Sequence, residues 1–140
     1  MKILLAVDGS SYTKKMLAYL VMHGEFFSAH YDYTIFTVQP QMPLHVVSAV
    51  GKDIVRSYHA DEAESVLSPV SLFLVRHGID AKSSWRVGQA AETIAKLATT
   101  GRFDLILMGS HGHGSVVNLV MGSVATKVLA NCKVPVLLIR

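Results

Sequence analysis

Residues 105–115 read LILMGSHGHGS, an apolar run followed at once by a loop with three glycines. The first four residues, all large and apolar, predict a short strand buried on both faces, as in a parallel sheet. We expect Gly109, Gly112 and Gly114 to adopt positive φ and to bring backbone N–H groups close to an anion, with a helix start after them. The stretch therefore predicts a phosphate-binding turn at the carboxyl end of a buried strand.

Similar apolar or β-branched runs occur elsewhere in the chain and are bounded by turn residues, which is typical of strands. They are residues 2–7 (KILLAV), 33–38 (YTIFTV), 81–87 around Trp85, and 134–139 (VPVLLI). Pro40 and Pro43, which follow the second run, prevent regular pairing and predict a mobile loop over residues 39–43. The sequence thus predicts five strands.

Between the strands, apolar residues recur at helical spacing. The predicted helices run from Ser10 or Ser11 to about Gly24, from Lys52 to His77 with a bend at Pro69, from Ala90 to Ala98, and from about Asn118 or Ser123 to Ala130. Strands that alternate with helices predict an α/β fold: a three-layer, five-stranded parallel sheet with helices on both faces.

The composition of the chain indicates how many domains it has, what kind of ligand it binds and where it is located. The chain has 140 residues, 51% of them hydrophobic and 16% charged, which predicts one packed domain over residues 1–140. The net charge of +3 is spread along the chain rather than clustered, so we expect a small anionic ligand and no nucleic acid. No apolar run reaches membrane-spanning length, no secretory leader is recognisable, and Cys132 is the single cysteine. We therefore expect a cytoplasmic protein with no membrane contact.

Ligands of open parallel sheets bind outside the carboxyl ends of the strands, where the strand order reverses. The candidate site residues are Asp8, Val38, Gly88 and the loop from Gly109 onward, because each follows or closes a predicted strand. The loop lacks the lysine that a P-loop needs after Gly114, and no GxGxxG follows the first strand. Neither of those two phosphate motifs is therefore present.

The chain resembles the nucleotide-binding branch of the universal stress protein family, whose pattern is Gly-x2-Gly-x9-Gly-Ser/Thr. Gly109, Gly112, Gly122 and Ser123 match it with both spacings intact. Asp8 after the first strand, the segment FDLILMGSHG and the closing VPVLLI occur in the family's order. The interior of the loop departs from the pattern, since His113-Gly114 precedes a mostly apolar run.

The resemblance implies a Rossmann-like fold of the adenine nucleotide alpha hydrolase type and a stress-response role. It implies that ATP, or ADP or AMP, binds across the strand ends with Mg²⁺ or Mn²⁺. Gly112, His113, Gly114 and Ser123 would surround the phosphates, Asp8 would lie near the ribose and the metal, and the Val38 backbone would meet the adenine. The family's last strand would form the sheet edge, where pairing of two copies would give a homodimer.

Several of these residues have a purely structural interpretation. Asp8 can cap the first helix or satisfy a turn, and Ser123 can be an N-cap. His111 and His113 lack the cysteine or acidic neighbours of a metal site, and Cys132 is interpreted as a packing residue. The remaining histidines (His23, His30, His45, His59, His77) are expected at the surface or at helix ends.

Three functions follow from these observations. The first is a nucleotide-dependent regulator that binds without fast turnover. The second is a slow metal-dependent ATP hydrolase or phosphotransferase that uses the same loop. The third is an interaction protein that keeps the fold but binds no nucleotide, against which the intact glycine pattern argues.

Overall fold

The computed structural model describes residues 1–114 and 120–140, in which strands and helices alternate. All five predicted strands are present, and the last predicted helix begins at Ser123; Asn118, the alternative start, lies outside the described residues. In chain order the elements are β1 (Lys2–Ala6), α1 (Ser11–Met22), β2 (Asp32–Gln39), α2 (Leu44–Val50), α3 (Lys52–Arg76), β3 (Ala81–Val87), α4 (Ala90–Thr100), β4 (Leu105–Gly109), α5 (Ser123–Asn131) and β5 (Val136–Ile139).

The five strands form one parallel sheet in the order β3-β2-β1-β4-β5. The chain builds outward from β1 to β3, then returns to the other side of β1, so the order reverses between β1 and β4. Residues of α1 and α3 pack on one face of the sheet, and residues of α4 and α5 pack on the other. The predicted three-layer α/β fold is confirmed.

Strand β1 lies in the centre of the sheet, and its side chains are buried on both faces. Ile3 and Leu5 pack on the face of α1 and α3, whereas Leu4 packs on the opposite face, and all three side chains are fully buried. Alternate residues of a strand point to opposite faces, so a central strand covered on both faces needs apolar residues throughout.

The segment after β2 differs from its prediction. Gln39 belongs to β2, and the short helix α2 begins after Pro43, where no helix was expected. Gly51 ends it with φ +88°, a conformation that favours glycine. The next helix, α3, runs without interruption past Pro69, which is exposed, and the bend we expect there stays a prediction.

The surface or helix-end position expected of five histidines is confirmed for four of them, since His30 and His45 are exposed, and is wrong for one. His23 and His77 are the C-cap residues of α1 and α3, as expected of helix-end residues. His59, expected at the surface, is only 5% exposed and lies on the face of α3 that contacts the sheet. It shares a helical stripe with Ala63 and Leu67, at intervals of four residues, which buries it. No helix among the residues described has the length and hydropathy needed to cross a membrane.

Candidate functional site

A cavity of about 530 Å³ opens at the carboxyl ends of β1, β2 and β4, on the face covered by α4 and α5. Phe36 and Met108 line it from the sheet, and Ile94 and Ala125 line it from the two helices. It lies beside β1 and β4, between which the strand order reverses, the place where doubly wound sheets bind ligands. The cavity brings together most of the residues that the sequence predicted.

Val38 contributes backbone groups to one end of the cavity. Val7 N–H donates to the Phe36 carbonyl at 2.9 Å, so Phe36 directs its carbonyl toward β1. Residues two apart on a strand direct their backbone groups to the same side. The backbone of Val38 therefore also points to the β1 side, but beyond Ala6, where β1 ends. This places a backbone donor and acceptor of Val38 beside the apolar wall of the cavity.

Asp8 uses one carboxylate oxygen to organise the turn before α1. Its Oδ1 accepts from the Ser10 N–H at 2.9 Å and from the Thr13 hydroxyl at 3.1 Å, while Asp8 N–H donates to Thr13 Oγ1 at 3.2 Å. Oδ2 lies against Gly112, where a Cβ would come within 2.5 Å of it. The turn-forming role proposed as a structural interpretation is confirmed for Oδ1, and Asp8 also lines the cavity.

Ser10 occupies the N-cap position of α1, but its side chain makes no capping hydrogen bond. Within the part of the chain that the structure describes, its buried Oγ has no hydrogen-bond partner. The donor that Ser10 contributes to this turn is its backbone N–H, which Asp8 accepts. Asp8, rather than Ser10, thus stabilises the start of α1 through its side chain.

Three glycines of the motif allow close approach. A Cβ on Gly109 would lie 2.5 Å from Tyr12 Cβ, so this glycine permits α1 to pack on the end of β4. A Cβ on Gly122 would lie 3.1 Å from the Ser110 carbonyl oxygen, which accepts the Gly122 N–H at 2.7 Å. Gly112 leaves room for Asp8 in the same way. The motif therefore has glycine at three positions where a side chain would collide with neighbouring atoms.

The expected positive φ is found at only one of the three glycines in the loop. Gly114 has φ +74°, and among the described residues a Cβ there would meet no atom within 4 Å. Gly109 and Gly112 do not have positive φ, so the expectation was wrong for both. Steric crowding rather than backbone conformation requires glycine at these two positions.

Two histidines of this loop line the cavity. The His113 Nε2 lies 2.9 Å from the Asp8 carbonyl oxygen, a geometry in which the ring donates, and His113 is exposed. The His111 Nδ1 lies 2.8 Å from Ser110 Oγ, and its ring centroid is 4.9 Å from that of Tyr12. The described residues contain no group of three or more potential metal ligands among histidine, cysteine and acidic side chains.

The N-terminus of α5 faces the cavity. Gly122 is its N-cap and Ser123 its first residue, so the interpretation of Ser123 as an N-cap was wrong. Ser123, Val124 and Ala125 all line the cavity. The first N–H groups of a helix have no partner within the helix and carry a partial positive charge. This terminus is therefore suited to hold an anion.

Gly88 lies at the end of β3, but it does not line the cavity. Its N–H donates to the Gln39 carbonyl at 3.0 Å, and a Cβ on it would lie 2.9 Å from Thr93 Oγ1. Gly88 thus forms the turn into α4, whose first residue, Ala90, does line the cavity. Its place in the structure is beside the site rather than in it.

Other lining residues were not singled out from the sequence. Thr13 exchanges hydrogen bonds with Asp8, and Phe36, Ile94 and Met108 form apolar walls. Their positions carry only weak signals: Thr13 is in the first turn of a helix, and the three apolar residues look like any core residues. Only the packing of α4 and α5 against the sheet shows that they border a cavity.

The strand order and the cavity define the class to which the molecule belongs, a doubly wound α/β protein with a cavity where the strand order reverses. A model of the universal stress protein family matches residues 1–140. The chain belongs to the universal stress protein family.

Curated relatives agree with this assignment. Universal stress protein Slr1230 of Synechocystis sp. is 32% identical over 139 residues, which are 99% of this chain and 42% of the relative. Universal stress protein MJ0531 of Methanocaldococcus jannaschii is 24% identical over 139 residues, 99% of this chain and 81% of the relative. The chain thus spans less than half of the first relative and most of the second.

Solved structures share the fold. Hypothetical protein MJ0577 superimposes with a TM-score of 0.82 at 24% identity, covering 99% of this chain and 94% of that one. An AMP-bound universal stress protein family member from Arabidopsis thaliana has a TM-score of 0.71 at 14% identity. The match covers 99% of this chain and 90% of that one. The Archaeoglobus fulgidus universal stress protein in complex with dAMP has a TM-score of 0.71 at 20% identity. The match covers 100% of this chain and 98% of that one.

Proposed function

We propose that this chain binds an adenine nucleotide in the cavity and acts as a nucleotide-dependent regulator in a stress response. The observation that carries the proposal is the chemistry of the cavity. One end has apolar walls beside the backbone of Val38 at the end of β2, and the other has a glycine loop and a helix N-terminus. Two solved neighbours with this fold hold AMP or dAMP, which supports an adenine nucleotide as the ligand.

At the apolar end, we place the adenine ring between the sheet and α4. Phe36, Val38 and Ile94 supply flat or branched apolar surface there. The N–H and carbonyl of Val38 are suited to the ring, because adenine presents an adjacent acceptor and donor on one edge. The backbone recognises that edge, whereas the apolar walls contribute area and little specificity.

At the other end, we place the phosphates between the glycine loop and α5. Gly112, Gly114 and Gly122 keep side chains away from the approaching anion. The first N–H groups of α5 and the Ser123 hydroxyl are suited to donate to phosphate oxygens. His113 of this loop lines the same end, where its Nε2–H donates to the Asp8 carbonyl and holds the loop against the turn before α1. Gly109 and Gly88 support this end through packing and a turn.

Between the two ends, Asp8 is the residue that we assign to the ribose and to a divalent metal. Mg²⁺ in nucleotide sites commonly takes one or two carboxylates together with phosphate oxygens and water. Asp8 fits this requirement, since Oδ1 is fixed by the turn and Oδ2 lies toward the glycine loop. Mg²⁺ or Mn²⁺ would neutralise phosphate charge at this position.

We propose binding rather than fast turnover. Rapid phosphoryl transfer uses cationic side chains to stabilise the charge that spreads over the transferred group. Among the lining residues that the structure describes there is no lysine or arginine. Residues 115–119 contain none in sequence either. Backbone donors hold the ground state and the transition state alike, and such uniform binding does not accelerate the chemical step.

We also propose a homodimer through β5. The two edge strands of the sheet differ in character. On β3, Lys82 and Arg86 are exposed, and charges of this kind protect an edge from pairing. On β5, Leu137 and Ile139 are only half-buried, and a second copy would cover them. The single cysteine, Cys132, supports a reducing compartment, for which we propose the cytoplasm.

Native mass spectrometry of the purified protein tests the proposal. We expect a mass increment equal to an adenine nucleotide, either carried through purification or acquired when AMP or Mg·ATP is added. The Gly122→Val variant is the control, because its side chain would crowd the Ser110 carbonyl at the phosphate end. If the folded wild-type protein acquires no nucleotide, the interaction-protein alternative replaces this proposal.

A further inference from the structure

The chain segment that forms the phosphate end of the cavity has no side chain with a permanent charge. Residues 105–126, which include β4, the glycine loop and the first turn of α5, contain no Asp, Glu, Lys or Arg. Asp8 is the one side chain of these four types among the described lining residues. His111 and His113 also line the cavity, but histidine carries no permanent charge. The fixed charge of the site is therefore negative.

Two cations on neighbouring elements contact groups that do not line the cavity. The Lys15 ammonium on α1 lies 4.7 Å from the centroid of the Tyr12 ring. The Arg86 guanidinium at the end of β3 donates to Ser84 Oγ at 3.3 Å and to the Trp85 carbonyl at 3.0 Å. Neither side chain lines the cavity, so neither adds a fixed cation to its described lining.

The donors that remain are suited to a small phosphate charge. A helix N-terminus behaves as about half a positive charge, while a nucleoside monophosphate carries about two negative charges near pH 7. Each further phosphate adds about one negative charge near the Asp8 carboxylate. For unit charges about 6 Å apart at an effective dielectric constant of about 40, Coulomb's law gives roughly a tenfold change in affinity per charge.

We infer that the site discriminates by phosphate charge: it binds a nucleoside monophosphate without metal, and a di- or triphosphate only with a divalent cation at Asp8. The inference rests on the proposed function and adds the form of the nucleotide that the site accepts. Asp8 opposes the bare polyphosphate and favours its metal complex. The same carboxylate thus makes triphosphate binding dependent on the metal.

Isothermal titration calorimetry with AMP, ADP and ATP, each in excess EDTA and in excess Mg²⁺, tests the inference at one pH. In EDTA, we expect ATP to bind at least about tenfold more weakly than AMP, with ADP between them. In Mg²⁺, we expect ATP affinity to recover by about the same factor and AMP affinity to change by less than about twofold.

The Asp8→Asn variant separates the charge of this side chain from its shape. The asparagine oxygen retains the role of Oδ1 toward Ser10 and Thr13, so the turn before α1 is preserved. We expect metal-free ATP affinity to rise about tenfold, and the gain from Mg²⁺ to disappear. A structural role alone would weaken all ligands equally, in EDTA and in Mg²⁺.

The His113→Lys variant adds a positive charge instead of removing a negative one, and it is informative even if Asp8→Asn does not fold. It places a permanent cation in the glycine loop, so the affinity for metal-free ATP should rise more than the affinity for AMP. His30→Lys adds the same charge to an exposed residue of the loop after α1, and should leave the ATP to AMP ratio unchanged.

Different results of these titrations contradict the charge discrimination and the nucleotide binding itself. Metal-free ATP that binds as tightly as AMP overturns the inference and leaves the proposed function standing. An unchanged ATP to AMP ratio in His113→Lys also overturns it. If neither AMP nor Mg·ATP binds the folded wild-type protein, the proposed function itself fails.

Discussion

Replacing Gly112 with alanine would place a methyl group 2.5 Å from Asp8 Oδ2, about 0.9 Å short of ordinary van der Waals contact. Either the loop or the carboxylate must move. Moving the carboxylate strains the Oδ1 hydrogen bonds to Ser10 N–H and Thr13, at 2.9 and 3.1 Å. A hydrogen bond to a charged group contributes about 1.5–3 kcal/mol when buried, and water compensates part of that at half-buried Asp8.

We therefore expect Gly112→Ala to lower the free energy of unfolding by about 1–2 kcal/mol and nucleotide affinity by about tenfold or more. Urea denaturation measures the first quantity, and calorimetry with AMP measures the second. Gly24→Ala is the matched control, because a Cβ there meets nothing within 4 Å and Gly24 does not have positive φ. Unchanged stability and unchanged AMP affinity in Gly112→Ala would refute the role assigned to this contact.

Gly122→Val should abolish AMP binding in calorimetry, because its Cβ would lie 3.1 Å from the Ser110 carbonyl oxygen; wild-type affinity contradicts this. Burial raises the pKa of Tyr33 to about 12, so the unfolding free energy should fall as pH rises from about 10 to 12. Tyr33→Phe should flatten that slope in urea denaturation, and an unaltered slope counts against it. Leu137→Lys should shift the light-scattering mass toward 15.2 kDa, and a wild-type protein already at that mass excludes the dimer. Single-turnover hydrolysis of Mg·ATP should be far slower than about 1 per second, and a faster rate that Asp8→Asn removes would indicate a hydrolase.

The strands could be predicted because burial on both faces demands unbroken apolar runs. Residues 105–108 and 2–7 carry that pattern, and the polar or glycine-rich turns after them mark the strand ends. The location of the cavity followed from the alternation of strands and helices alone. The interpretation of Asp8 as a turn residue was also open from the sequence, since a short polar side chain before a helix commonly accepts backbone N–H groups.

Other features needed three-dimensional contacts. The sequence shows that Gly109 and Gly112 lack side chains, but not that Tyr12 and Asp8 occupy the space that this leaves. The seven residues of α2 have no buried side chain and too little periodicity to predict a helix. His59 was predictable in principle, because it lies four residues before Ala63 on the buried stripe of α3. At this position the apolar stripe of the helix is a better guide to burial than the polarity of histidine.

An NMR titration of ¹⁵N-labelled protein with AMP tests directly whether an adenine nucleotide occupies the cavity beside β1 and β4. We expect saturable shifts of the Val38, Gly114 and Ala125 amides, which lie at the two ends of the cavity. The Gly78 amide, in the turn between α3 and β3, should not respond. The absence of a saturable shift, or shifts confined to residues away from the cavity, would show that the nucleotide does not bind there.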